Sequence, residues 1–170
     1  MKKYRLTEET TKVGNRPLYR IQALRDFGNV KEGDIGGYIE SEKNLSQDGN
    51  AWVSGDARVY GDARVSGDAR VSGNARVSGN ACVYGNARVY GNADIKTTGD
   101  ICSMSGFGSE YRTTTAFRTK NGDVHVSCGC FQGNLEAFCQ RVESTHGNTL
   151  YGREYKKMIE MLKIHFEVEP

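Results

Sequence analysis

Proline occurs twice in 170 residues and tryptophan once, and neither sign of charge prevails: 23 basic residues stand against 21 acidic ones, a formal net charge of +2. That balance lacks the basic excess of a non-specific nucleic-acid binder or a membrane-surface protein, and no sequence-specific nucleic-acid motif is present. No segment approaches the roughly 18 apolar residues of a spanning helix, so no membrane partner is expected. The opening Met1-Lys2-Lys3-Tyr4-Arg5-Leu6-Thr7-Glu8-Glu9 has no apolar run behind its charges, which predicts that it is not a signal peptide. Five cysteines, an odd number without framework spacing, suit a reduced cytoplasmic protein better than a disulfide scaffold. Hydrophobic residues are scarce too, at 37%. A solenoid, in which each coil buries only a narrow column of small side chains, tolerates that shortage.

What the chain has in abundance is glycine, 21 residues of it, with an unbroken run at six-residue spacing from Gly49 to Gly91. Between Ala51 and Asp94 a six-residue unit repeats, V-[SY]-G-[DN]-A-[RC], as in Val53-Ser54-Gly55-Asp56-Ala57-Arg58. The aliphatic position recurs at Val53, Val59, Val65, Val71, Val77, Val83 and Val89, then at Ile95 and Ile101. Alanine follows four places later each time, from Ala57 to Ala93. The period is too short for helical solenoids and wrongly spaced for heptads, so it predicts a solenoid of short strands. Glycine with Asp or Asn suits corners that need positive φ.

The register extends upstream with looser chemistry: Leu45, Ile39 and Gly37 fall on the beat, although Ser41 and Gln47 then take aliphatic slots. Residues 4–30 read as a cap over the first coil, with Leu18-Tyr19-Arg20-Ile21-Gln22-Ala23-Leu24 alternating as a half-buried strand. Trp52 sits in an outward slot and is expected to pack on the cap or on another subunit.

The repeat resembles the hexapeptide repeat of left-handed parallel β-helices, over roughly Ile35 to Ile101. That resemblance implies triangular coils of three hexads, valines inside, alanines near the corners and glycine turns. About four coils would make a rod on the order of 20 Å long. Residues 18 apart then stack: Arg58 over Arg76 and Asp94, Arg64 over Cys82, Arg70 over Arg88. Tyr60, Tyr84 and Tyr90 share the other outward slot with serines. Such ladders serve solubility on a solvated face. Guanidinium forks beside aromatic rings also suit phosphates and bases, above all in clefts between packed rods.

Many hexapeptide-repeat proteins are trimeric acyltransferases with a catalytic histidine at a subunit interface and a loop extruded from a coil. Here His125, His146 and His165 all follow the repeat, and nothing interrupts Val53 to Ile95. The carbonic anhydrase branch needs coil histidines for a metal, and there are none. General-base or metal-hydroxide chemistry has no donor in the coil.

After Lys96-Thr97-Thr98 the repeat decays, and Gly99 with Gly106-Phe107-Gly108 marks a connection. Thr113–Thr119 and Val124–Cys128 read as a hairpin about Asn121-Gly122. Asn134 reads as the N-cap of a helix that ends at Gly147, and a second helix covers about Tyr151 to Phe166. This ββαα tail on a hexapeptide rod resembles phage and prophage proteins. Cys128-Gly129-Cys130, with His125 and Cys139, lacks zinc-site spacing, so neither metal nor cofactor is expected. Cys130-Phe131-Gln132-Gly133-Asn134 reads as a glycine turn feeding a helix N-terminus, an anion-binding arrangement to which Arg118 and Lys120 would add charge.

The expected architecture is mainly β: an N-terminal β cap over residues 1–34, a left-handed parallel β-helix over 35–106, and a small α+β module over 107–170. Three functions follow. The first is a non-catalytic, phage-associated homotrimer in the host cytoplasm. It would sequester a small anionic or nucleotide-like ligand, or a host protein, in phage–host conflict. Its candidate binding residues are Arg58, Arg64, Arg70, Arg76, Arg88, Tyr60, Tyr84, Tyr90, Arg118, Lys120, Gly133 and Asn134. The second is a structural or oligomerisation module, and the third an acyltransferase-like enzyme, which the lack of coil histidines disfavours.

Overall fold

A computed structural model describes residues 1–168. The chain opens with a hairpin, β1 (Tyr4–Val13) and β2 (Arg16–Ala23), followed by β3 (Ile35–Ile39) antiparallel to β2. Eight two-residue strands come next: β4 (Trp52–Val53), β5 (Arg58–Val59), β6 (Arg64–Val65) and β7 (Arg70–Val71). The run continues with β8 (Arg76–Val77), β9 (Cys82–Val83), β10 (Arg88–Val89) and β11 (Asp94–Ile95). They form three parallel columns, β3-β5-β8-β11, β4-β7-β10 and β6-β9. The repeat therefore builds a parallel β-solenoid.

Each coil bonds to the next through the same two groups. Arg58 N–H donates to the Ala75 carbonyl at 2.9 Å, and Tyr60 N–H to Val77 at 3.0 Å. The pattern recurs from Arg76 to Ala93 at 2.8 Å. Inside, every valine of the columns is at most 1% exposed, and so is every repeat alanine. The alanines are thus interior residues as fully as the valines. Burying one valine contributes about 1.5–3 kcal/mol, so the seven repeat valines, spread over the three columns, form the bulk of the core. At the corners glycine alone takes the left-handed conformation; no Asp or Asn among the described residues does.

Two expectations about the coils need correction. There are about three turns and one further strand instead of four turns, because Ile101 leaves the stack. It starts β12 (Ile101–Met104), which runs antiparallel to β13 (Thr114–Arg118). In the first coil, Ile39 and Leu45 fill the aliphatic slots assigned to Ser41 and Gln47, since they stand beside Val59 and Val65 at a spacing of twenty residues. Trp52 returns to the spacing of eighteen, beside Arg70. The corner between Leu45 and Trp52 therefore holds two extra residues. Gln47 there accepts Lys3 N–H at 2.8 Å and Tyr4 N–H at 3.3 Å, and so ties the cap to the coil.

Both ends of the solenoid core are plugged. At the first coil Trp52 is 5% exposed and packs edge-on against Tyr4 and Phe27 of the cap, as its isolation in an arginine slot suggested. Lys3 is wholly buried there, its ammonium donating to the carbonyls of Ala51 (2.9 Å), Asp48 (3.4 Å) and Gly49 (3.5 Å). At the last coil β13 lies across the stack: Phe117 is fully buried in the solenoid core, and Lys120 N–H bonds the Asn92 carbonyl at 3.0 Å.

The C-terminal module has four strands where a two-stranded hairpin was expected, in the order β12-β13-β14-β15, with β14 (Val124–Cys128) and β15 (Phe131–Asn134). Helices α1 (Leu135–His146) and α2 (Leu150–His165) pack on that sheet around Phe138, Val142, Met158, Ile159 and Leu162. Among the described residues, no helix is long and apolar enough to cross a membrane.

Candidate functional site

The residues singled out from the sequence lie on separate surfaces. Arg58 adjoins Arg76 in one column, Arg70 adjoins Arg88 in another, and Arg64 adjoins Cys82 in the third. Among the described residues none of these five arginines forms an ion pair. Arg70 is partly covered, and burial, with Arg88 beside it, holds its pKa below the usual arginine value. Tyr60 is half-buried on the first column, and Tyr84 is 65% exposed beside a small cavity of about 130 Å³. Tyr90 belongs to the junction with the C-terminal module: its hydroxyl donates to the Val126 carbonyl at 3.0 Å and its ring meets Phe117 edge-on.

The expected anion loop has a different form. Gly133 lies in β15 opposite Val126, so the segment is a strand and not a glycine turn. Asn134 Oδ1 accepts Ala137 N–H at 2.8 Å, which leaves the residue as a helix cap. Arg118 spends its guanidinium on the carbonyls of Gly122 and Phe166, and Lys120 is exposed. The hollow of about 380 Å³ that Arg118 and Asn134 share is also lined by Asp123, Glu136 and Glu167, a poor setting for an anion.

A better setting lies where the last coil, the β12–β13 loop and α1 converge. Two adjoining cavities, about 480 and 430 Å³, share Glu110, Arg112 and Gly129. The first is polar, lined by Asn86 and Arg88 of the coil and by Ser105, Tyr111 and Thr113 of the loop. The second carries Phe131, Phe138, His146 and Tyr155 with Arg141 and the thiols of Cys128 and Cys130.

Local sequence explains this geometry. The loop from Ser105 to Thr113 is closed at its base by a 2.7 Å hydrogen bond between those two hydroxyls. Gly108, at φ +76°, lies so close to the Tyr155 ring that a methyl group would collide with it, and its N–H donates to Glu154 Oε2 at 2.8 Å. Tyr111 is held at φ +52° and is 68% exposed. Arg112 spreads over Gly129, where an added Cβ would stand 2.6 Å from its Nη1. Among the described residues the carboxylate that pairs with Arg112 is Glu110, at a loose 3.7 Å.

The aromatic wall is continuous. Phe131 and Phe138 have ring centroids 5.2 Å apart, Phe138 meets Tyr155 edge-on at 5.9 Å, and His146 stacks on Tyr155 at 5.4 Å and 28°. Burial, with Cys128 nearby, pushes the Tyr155 hydroxyl up to about 12, so at neutral pH it is a proton-bearing donor. Cys128 Sγ receives the Thr114 hydroxyl at 3.1 Å and lies 3.8 Å from Tyr155. His125 belongs to the rod junction, 6.3 Å from both Tyr90 and Phe117, whereas His146 shares the cavity with the two thiols. Among the described residues no three His, Cys, Asp or Glu side chains converge on a metal position.

Of the candidate binding residues named from the sequence, Arg88 lines these cavities; Cys128, Cys130 and His146, weighed there as metal or catalytic groups, line the second. Arg112, Arg141 and Tyr155 were missed because they lie on three segments with no shared motif. The paired glycines Gly106 and Gly108 were the available signal of a shaped loop.

Comparison with known proteins bears on the rod. A family model described as the YdcK beta solenoid repeat matches residues 51–67, 57–73, 69–85 and 81–93. The coil is similar to that repeat. A stretch of 61 residues is 39% identical to the uncharacterized acetyltransferase YdcK of Escherichia coli (strain K12), covering 31% of this chain and 19% of that protein. The chain thus spans about a fifth of the curated relative it matches. Within the groove only Asn86 and Arg88 fall inside the matched repeats.

Proposed function

We propose that the protein is a non-catalytic binder, a solenoid scaffold that presents a cationic, aromatic-walled groove to a small anionic molecule. The observation that carries this reading is Arg112, placed where the two cavities meet, with Arg88 on one side and Arg141 on the other against Glu110, the carboxylate among the lining residues. Guanidinium groups match carboxylate and phosphate oxygens in pairs, and a concave setting lets several such contacts converge on one anion. The coil arginines stand in columns on open faces and add long-range attraction without shaping a pocket. A homotrimer of such rods would display three grooves on one particle, and sequestering a ligand in phage–host conflict would use those grooves. Light scattering that returned a mass near 18.8 kDa would remove the trimer from this reading.

The test is thermal unfolding of the full chain with inorganic phosphate, pyrophosphate and citrate at millimolar concentration. A ligand at a hundred times its Kd stabilises by about 2.7 kcal/mol, which raises Tm by roughly 5–10 °C for a chain of this size. The Arg112→Gln, Arg141→Gln double variant should lose the rise. No rise with any of the three anions would refute the reading.

The curated relative's name supports a second reading, acetyl transfer, with His146 and the Cys128 and Cys130 thiols, which line one cavity, as the reactive groups. Consumption of acetyl-CoA by the purified chain, abolished in His146→Ala, would favour it over simple binding.

A further inference from the structure

We infer that the two cavities are two halves of one site, which takes a ligand joining a planar ring to a phosphate or similar dianion. This rests on the binding role proposed above and names its ligand class. The halves differ in chemistry although they share a wall. The polar half offers Arg88, Asn86, and the hydroxyls of Ser105 and Thr113. Nothing apolar and planar lines it except Tyr111, whose ring is largely in solvent. The other half offers ring faces and edges, Phe131, Phe138, His146 and Tyr155, with centroid spacings of 5.2–5.9 Å. A purely inorganic anion would leave that wall unused, and a purely apolar ring would leave Arg88 without an ion pair and Arg112 on its loose contact with Glu110. A ring with an attached anion fills both, and base–aromatic stacking tolerates many ring types. At about 430 Å³ the aromatic half is ample for a purine or similar bicycle.

Glu110 acts as a stand-in for the absent anion. Its 3.7 Å approach to Arg112 is too long for a strong bidentate pair, and both side chains are more than half exposed. A phosphate arriving at Arg112 displaces Glu110 and makes the closer, paired contact that Glu110 does not. Glu110 lies in the loop between β12 and β13, after Gly106 and Gly108 and beside the left-handed Tyr111, so it can swing away without disturbing the sheet.

Calorimetric titration of the full chain tests this with three probes: adenosine 5′-monophosphate, adenosine and inorganic phosphate. The monophosphate should bind at least tenfold tighter than either part. Arg112→Gln should weaken phosphate and the monophosphate but not adenosine, and His146→Ala should weaken adenosine and the monophosphate but not phosphate. Glu110→Gln, at an exposed position that leaves folding intact, should tighten phosphate about two- to fivefold, the effect of freeing one guanidinium from an exposed ion pair. If the monophosphate binds no tighter than phosphate, the joined site is wrong while the anion-binding role stands. If no probe binds, both fail. Binding indifferent to Arg112→Gln and His146→Ala would place the site elsewhere and overturn the inference.

Discussion

Gly79 and Gly85 occupy the same corner position of successive hexads, and their replacement by alanine separates the cost of conformation from the cost of stacking. Both are left-handed, at φ +59° and +62°. A Cβ at Gly85 meets nothing within 4 Å, whereas one at Gly79 collides with the Lys96 carbonyl oxygen, which is backbone of the chain stacked above. Alanine in the left-handed region costs about 1–2 kcal/mol. Reduced freedom of the unfolded chain returns about 0.4–1 kcal/mol of that. Gly85→Ala should therefore lose about 1 kcal/mol. Gly79→Ala carries the same conformational cost and must also push the strand containing Ile95 outward, disturbing the 2.8 Å bond from Ser78 N–H to the Ile95 carbonyl. Overpacking of this kind costs about 1–3 kcal/mol more, for a total of about 2–4 kcal/mol. Urea titration followed by circular dichroism, with both variants at equal m-value, reads the difference directly. Equal losses in the two variants would refute the stacking register described above.

Three further outcomes follow. Phe117→Ala opens the end of the solenoid core and should cost about 3–5 kcal/mol in the same titration. Tyr90→Phe removes the hydroxyl bond to Val126 and should cost only about 1 kcal/mol, because the ring contact with Phe117 remains. Lys3 gives a pH signature. Burial, aided by Arg25 and opposed by Asp48, lowers its pKa from 10.5 to about 8. Between those values the unfolded chain holds the proton and the folded chain does not, so stability attributable to Lys3 rises with pH across that window. Lys3→Met should flatten the rise, which amounts to about 3 kcal/mol at most. Stability that falls from pH 8 to 9.5 in the native chain relative to Lys3→Met would contradict the sign.

The rod was legible because each hexad restates the same local requirement: an interior valine, an interior alanine and a left-handed glycine. The first coil was misread because stepping back by six assumes corners of constant length. The corner before Trp52 is longer by two, and Gln47 there serves the cap instead of the core. Strand β1 went unseen since Thr7-Glu8-Glu9-Thr10 has no alternation; its pairing with β2 holds it extended. Ile101 kept the aliphatic beat but met β13, and antiparallel pairing to Phe117 outweighed periodicity. The groove was legible only in fragments, Arg88 from the coil and Cys128-Gly129-Cys130 and His146 from the tail, because it is assembled from side chains near residues 88, 110, 130, 141 and 155 that only the fold brings together.

Hydrogen exchange of the full chain, with and without saturating adenosine 5′-monophosphate, tests most directly whether the groove and not the coil faces binds the ligand. The account predicts new protection in residues 105–113, in the turn at Gly129 and Cys130, and in the last turns of α1, with amides of the central coils unchanged. Protection confined to the arginine columns, or no protection anywhere, would contradict it.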